Sequence, residues 1–202
     1  MGVFGGTFDP PHLGHLIVAR DAADVLALDR VLLVLAARPP HKGEPDATAP
    51  IRWEMLEAAA ENDPLLVASD LELVRTGPSY TVDTLTELRS LFPETELALL
   101  VGVDQWRQFA GWHAPATIGR LATIAVMARE SDDPEAADPG LGLDYRTVPV
   151  RRIDISATDI RTRVRAGRSV RYLVPERVRT IIEREALYRP AAAAALGTER
   201  EI

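Results

Sequence analysis

No cysteine occurs among the 202 residues, which excludes disulfides, thiolate metal sites and cysteine nucleophiles. No apolar run approaches the roughly 18 to 20 residues of a membrane span. The N-terminus lacks the basic-then-apolar layout of a secretory signal. These absences lead us to expect a cytoplasmic protein that engages no membrane. Positive charge is also scarce, with 23 Lys and Arg against 30 Asp and Glu, a net charge of -7. A nucleic-acid binder needs a basic footprint, so no nucleic-acid partner is expected. If the ligand is anionic, the cations that hold it must be gathered locally. No internal repeat is present. The hydrophobic content of 47% is ordinary for a globular chain of a size that buries a substantial core.

Short apolar runs alternate with helical periodicity along the chain. Gly2 to Phe4 fits a buried strand, short enough to suggest that a residue or two of the natural strand precedes it. Gly14 to about Leu28 reads as a helix with a broad apolar face. Val31 to Leu35 is continuously apolar, as in a strand covered on both sides. Thr48 to Asn62 is a helix with Pro50 in its first turn. Leu65 to Val67 is a short strand, followed by the alternation Asp70-Leu71-Glu72-Leu73. Val82 to Phe92 is a helix, with Thr81 or Ser79 as its expected cap. Further strands are expected at Glu96 to Val101, Leu121 to Ala128 and Tyr145 to Val150, with one or two helical turns over Gln105 to Trp112. The acidic stretch Glu130 to Asp144 reads as an exposed loop. Helices over Ile155 to Ala166, capped by Ser156, and Pro175 to Leu187 close the chain. Such alternation predicts an α/β fold, a doubly wound and mainly parallel sheet with helices on both faces. One domain is expected over residues 1–188, with a flexible tail at 189–202.

Right-handed crossovers place all strand-to-helix loops on one edge of such a sheet, where ligands bind. The stretch Phe4-Gly5-Gly6-Thr7-Phe8-Asp9-Pro10-Pro11-His12-Leu13-Gly14-His15 forms the first of these loops. Its glycines free the backbone, its prolines fix the turn, and it opens onto a helix N-terminus, where N–H groups point outwards. His12 and His15, three residues apart, share a helix face. The combination predicts a site for a phosphate on which charge develops. His41 and Lys42 occupy the next loop after two prolines, whereas His113 reads as a solvated side chain. In Ile155-Ser156-Ala157-Thr158-Asp159-Ile160-Arg161, two hydroxyls, a helix N-terminus and a guanidinium one turn in from Thr158 form a second anion-binding group.

These two segments resemble the paired motifs of the nucleotidylyltransferase superfamily, H-x-G-H and I-S-x-T-x-x-R. Pro39 to Lys42, Pro78 to Leu85, Val101 to Asp104 with Trp112, and Tyr172 to Pro175 are similar to segments of the bacterial nicotinate-nucleotide adenylyltransferases. The resemblance covers residues 2 to about 188 and departs at two places. Ala157 stands where a second Ser is frequent, and Arg129-Glu130-Ser131 where Arg-Pro-Gly is frequent.

The resemblance implies a Rossmann-like fold and adenylyl transfer from ATP to nicotinate mononucleotide, giving nicotinate adenine dinucleotide and pyrophosphate. It implies catalytic roles for His12 and His15 and ATP contacts from Gly6, Thr7, Phe8, Gly102, Asp104, Ser156, Thr158 and Arg161. It places the acceptor against His41, Lys42, Thr81, Trp112 and Arg129. Mg2+ is expected to arrive with ATP, without a dedicated protein metal site. Alternative acceptors are nicotinamide mononucleotide and phosphopantetheine, and a non-catalytic nucleotide sensor is the alternative of another class. A homo-oligomer stays open.

Overall fold

In a computed structural model that describes residues 1–39 and 43–190, six strands form a single sheet in which every neighbouring pair is parallel. They are β1 (Gly2–Gly6), β2 (Val31–Leu35), β3 (Leu66–Ser69), β4 (Ala98–Gly102), β5 (Thr123–Ala128) and β6 (Tyr145–Pro149). Their order is β3-β2-β1-β4-β5-β6. The chain therefore winds outwards from β1 to one edge, returns to the centre at β4 and winds to the other edge. This is the Rossmann-like, doubly wound arrangement, with its switch point between β1 and β4. Those two strands pair only at Gly2 with Ala98 and Val3 with Leu99. Beyond that pair their carboxyl ends are not bonded to each other, and a crevice opens there.

The helices are α1 (Leu13–Leu26), α2 (Ala49–Ala60), α3 (Thr81–Leu91), α4 (Val103–Arg107), α5 (Pro115–Leu121), α6 (Ala157–Arg165) and α7 (Glu176–Arg184). Successive strand residues point to opposite faces, so each buried strand serves two cores. Leu99, Val101, Ile124 and Val126 pack beneath α3, α4 and α5, against Leu85, Leu88, Trp106 and Ile118. Leu33, Leu35, Leu100 and Ala125 face α1 and α2, where Ala19, Ala22, Ala23 and Leu56 allow close approach. A third cluster joins α6 and α7 to α2 through Ile160, Val178, Ile182 and Met55. Each fully buried Leu or Ile in these layers contributes on the order of 1.5–3 kcal/mol.

One helix was not foreseen and one expected cap needs correction. The helix α5 was not legible, because seven residues give too short a period; Pro115 at its start and the left-handed Ala114 before it define it. Neither Thr81 nor Ser79 caps α3: Tyr80 holds that position without a side-chain cap, since the Ser79 hydroxyl is engaged elsewhere. Residues 70–73 lie in the loop after β3 as a turn, with Leu73 N–H bonded to Asp70 O at 2.7 Å. The acidic loop 130–144 is largely exposed, yet Ala137 is buried and Leu143 packs on the core, which pins the loop to the domain. The Ser156 cap is as expected: its hydroxyl accepts from Asp159 N at 3.0 Å. Among the described residues no helix is long and apolar enough to cross a membrane. Of the tail expected at 189–202, residues 191–202 lie outside the described residues.

Candidate active site

A cavity of about 610 Å³ lies over the carboxyl ends of β1 and β4, within the usual size of a small-molecule pocket. The first glycine-rich turn forms its floor. A Cβ on Gly6 would meet the Phe8 ring at 2.8 Å, so only glycine lets that ring fold beneath the turn. Phe8 itself is left-handed, with φ 47°, a strain of about 1–3 kcal/mol that its burial holds in place. The Asp9–Pro10 peptide is cis.

His12 caps α1 and His15 sits one turn further on. The backbone N–H of His12 donates to His15 Nδ1 at 3.2 Å. With Nδ1 accepting, a neutral His15 carries its proton on Nε2. His15 lines the cavity, while the His12 ring lies behind it, stacked at a centroid distance of 3.6 Å. His12 is 6% exposed, and burial pushes its pKa down to about 4. It is therefore a neutral ring at neutral pH. Gly14 permits this arrangement, because a Cβ there would stand 3.0 Å from His12 Nδ1.

Thr158 and Arg161 of α6 form the opposite wall. Arg161 donates from Nη1 to the Asp9 carbonyl at 2.8 Å and from Nη2 to Thr158 Oγ1 at 3.4 Å. Its Nε lies 2.7 Å from Asp46 Oδ2, an ion-pair distance without the alignment of a hydrogen bond. Asp46 also pairs with Arg165 at 2.9 Å. Among the described residues, four buried side-chain polar atoms have no hydrogen-bond partner, and three of them are Thr7 Oγ1, His12 Nδ1 and Arg161 Nε. Buried polar groups are normally bonded, and of these three residues Thr7 and Arg161 line the cavity, where a polar ligand can complete their bonding.

The far end of the cavity is lined by Ser79, Tyr80, Thr81, Trp112 and His113. Trp112 packs on Phe109 at 4.9 Å while facing the cavity, so it is both a core and a cavity residue. His113 is exposed, but it stacks on Tyr80 at 4.4 Å within the cavity wall, a placement its sequence context did not suggest.

Of the other expected site residues, Gly6, Thr7, Phe8 and Gly102 line the cavity. Ser156 and Asp104 are exposed and lie outside its lining; Asp104 instead pairs with Arg107 at 3.3 Å. Arg129 is exposed, outside the lining too, with its N–H bonded to Asp132 Oδ2. His41 and Lys42 lie outside the described residues.

Residues 3–163 match the profile of the cytidylyltransferase-like family. A probable nicotinate-nucleotide adenylyltransferase from Thermus thermophilus is 47% identical over 194 residues, covering 94% of this chain and 99% of the relative. The chain belongs to this family. A second such relative, from Salinibacter ruber, is 41% identical over 191 residues, covering 94% and 98%. The fold matches that of the Plasmodium falciparum nicotinic acid mononucleotide adenylyltransferase complexed with NaAD, with TM-score 0.76 at 16% identity, covering 93% and 96%. A putative nicotinate-nucleotide adenylyltransferase from Vibrio parahaemolyticus gives TM-score 0.67 at 22% identity, covering 94% and 95%.

The cavity needs the loops after β1 and β2 held in register, and buried residues outside the sequence motifs do this. Arg52 on α2 is 1% exposed and donates to four backbone carbonyls: Thr7 at 2.9 Å, Ala36 at 2.8 Å, Ala37 at 3.0 Å and Ala47 at 3.2 Å. One guanidinium thereby ties the loop after β1 to the loop after β2. Asp9 accepts from Asp46 N–H at 2.7 Å, Ala47 N–H at 3.2 Å and the Tyr188 hydroxyl at 2.7 Å. Burial, with the Asp9 charge beside it, pushes the Tyr188 hydroxyl up, so it remains a donor. A charge at Arg52 on the same helical face as Met55 and Leu56 is the sequence signal that would have found this residue.

Proposed function

We propose that this chain transfers the adenylyl group of ATP to nicotinate mononucleotide, releasing pyrophosphate and forming nicotinate adenine dinucleotide. The observation that carries this reading is a single cavity with His15, Thr158 and Arg161 along one side and Thr81 and Trp112 at its far end. Membership of the nicotinate-nucleotide adenylyltransferase family supports the same acceptor.

An oxygen of the acceptor 5′-phosphate attacks the α-phosphorus in line, and the bond from that phosphorus to the bridging oxygen of the β-phosphate breaks. No protein nucleophile is required, so catalysis consists of positioning and of stabilising charge on the phosphoryl oxygens. We assign His15 Nε2–H to the oxygens on which charge develops, with His12 behind it fixing its orientation. Thr158, Arg161 and the α6 N-terminus, with Ser156, are assigned to the leaving pyrophosphate. Arg161 must exchange Asp46 for phosphate oxygens when ATP binds. Gly6, Thr7 and Phe8 shape the turn beneath the nucleotide, and Gly102 with Asp104 is assigned to its ribose. Thr81, Trp112 and the first N–H groups of α3 are assigned to the nicotinate ring and its carboxylate. Lys42, with His41, is assigned to the acceptor phosphate, and Arg129 stays a candidate on the acceptor side.

Mg2+ is read as part of the MgATP substrate. Among the described residues no group of three or more His, Asp or Glu side chains is arranged to hold a metal. The cysteine-free composition supports a cytoplasmic location.

The test is pyrophosphate release with MgATP against nicotinate mononucleotide, nicotinamide mononucleotide and phosphopantetheine in parallel. Release is expected with the first and much less with the others. Preference for the amide or for phosphopantetheine would overturn the acceptor, and release with none would favour a sensor.

A further inference from the structure

We propose that Glu72 is the positioning residue of the acceptor end of the cavity, acting through Ser79 and Thr84; the inference rests on the acceptor reading above. Glu72 follows β3, is 7% exposed and lines the cavity. Its Oε1 accepts from the Thr84 hydroxyl at 2.6 Å, and the nearby Ser79 hydroxyl helps to stabilise the charge of the same carboxyl group. Ser79 Oγ in turn accepts from the Arg38 N–H at 3.1 Å, and Ser79 N–H donates to the Arg38 carbonyl at 3.0 Å. Thr84 Oγ1 takes the Arg75 guanidinium at 3.3 Å. One buried carboxyl group thus connects the turn after β3, the first turn of α3 and the loop after β2.

The chemistry calls for a carboxylate here. An ionised carboxylate only accepts, so both hydroxyls facing it must donate. Their own lone pairs are then free for the Arg38 N–H and the Arg75 guanidinium. The carboxylate at 2.6 Å draws the Thr84 proton in preference to the Tyr80 carbonyl at 3.5 Å. The carboxyl pKa is raised on balance: burial is the largest cause, the Thr84 and Ser79 hydroxyls and the Arg75 charge oppose it, and the Asp83 charge adds to it. Between the two pinned residues lie Tyr80 and Thr81, which line the cavity. Fixing Ser79 and Thr84 therefore fixes Thr81 and the N-terminus of α3, without Glu72 contacting the substrate.

The test compares Glu72→Gln, Glu72→Ala and Thr84→Val with the unaltered protein. Separate KM values for ATP and for the acceptor are measured, together with thermal midpoints, using whichever acceptor of the three releases pyrophosphate best. Glu72→Ala is expected to raise the acceptor KM at least tenfold while the ATP KM stays within twofold. Glu72→Gln, which keeps the shape but places a donor against one hydroxyl, is expected to fall between. Thr84→Val should shift the acceptor KM in the same direction. An unchanged acceptor KM in Glu72→Gln and Thr84→Val overturns the proposal, as does an equal rise in both KM values that follows the thermal midpoint. If Glu72→Ala does not fold, the two isosteric variants decide the matter. A preference of the unaltered protein for the amide would overturn the acceptor assignment instead, and the Glu72 comparison is then made with that acceptor.

Discussion

The N–H of His12 is bonded to Nδ1 of His15 at 3.2 Å, and the two imidazoles lie stacked with centroids 3.6 Å apart. The bond orients the cavity-facing ring and assigns its proton. The stacking opposes simultaneous protonation, since two like charges this close repel strongly. One histidine is thereby made into the support of the other.

Replacing His15 with Ala should lower kcat by about 100-fold to 1,000-fold, the loss found when one donor to a developing oxyanion is removed. The thermal midpoint should change little. Near-normal turnover in His15→Ala would refute the assignment.

The depressed pKa of His12 links stability to pH. The unfolded chain binds this proton below about pH 6.5, whereas the folded chain resists it until about pH 4. The contribution is fully present above pH 6.5 and is lost as pH falls towards 4, by on the order of 3 kcal/mol. Urea denaturation at pH 7 and pH 4.5 should show a smaller acid-side loss in His12→Gln than in the parent. Equal losses would show that other groups govern the acid limb.

Asp46 neutralises Arg161 and Arg165 before any phosphate reaches them. These pairs are partly exposed, so each is worth about 0.2–1 kcal/mol. Asp46→Asn should therefore lower the ATP KM by less than about sixfold, with the effect shrinking at high salt. A raised KM would mean that Asp46 orients Arg161 rather than competes for it.

Arg52 has no apolar substitute. Arg52→Met would leave four carbonyls in its buried surroundings without their donor, at about 1–3 kcal/mol for each that finds no water. A loss of several kcal/mol in chemical denaturation is expected. A loss below about 1 kcal/mol would show that the loops hold their register without it.

Capping by Ser156 is a local contribution. Ser156→Ala should destabilise by about 0.5–2 kcal/mol, and Ser156→Gly by only a few tenths. A rise in ATP KM shared by both variants would report the hydroxyl's separate phosphate contact; a KM that follows stability alone would remove it.

The sequence by itself determined what depends on neighbours a few residues apart. The apolar runs at Val31 to Leu35 and Leu97 to Val101 specify buried parallel strands, the glycine turn specifies the loop that opens the cavity, and Ser156 specifies where α6 begins. Periodicity and capping act over one or two turns, so they leave a local record. Only the tertiary structure decided the strand order, and with it that the crevice opens beyond Val3 and Leu99. It alone brought Arg161 to the carbonyl of Asp9, 152 residues away, and set Asp46 against Arg161. It also turned Arg52 and Glu72 from ordinary charges on a helix and a turn into buried hubs. Their partners are backbone carbonyls and hydroxyls that carry no distinctive sequence, and burial creates the need for those bonds only once the chain has folded.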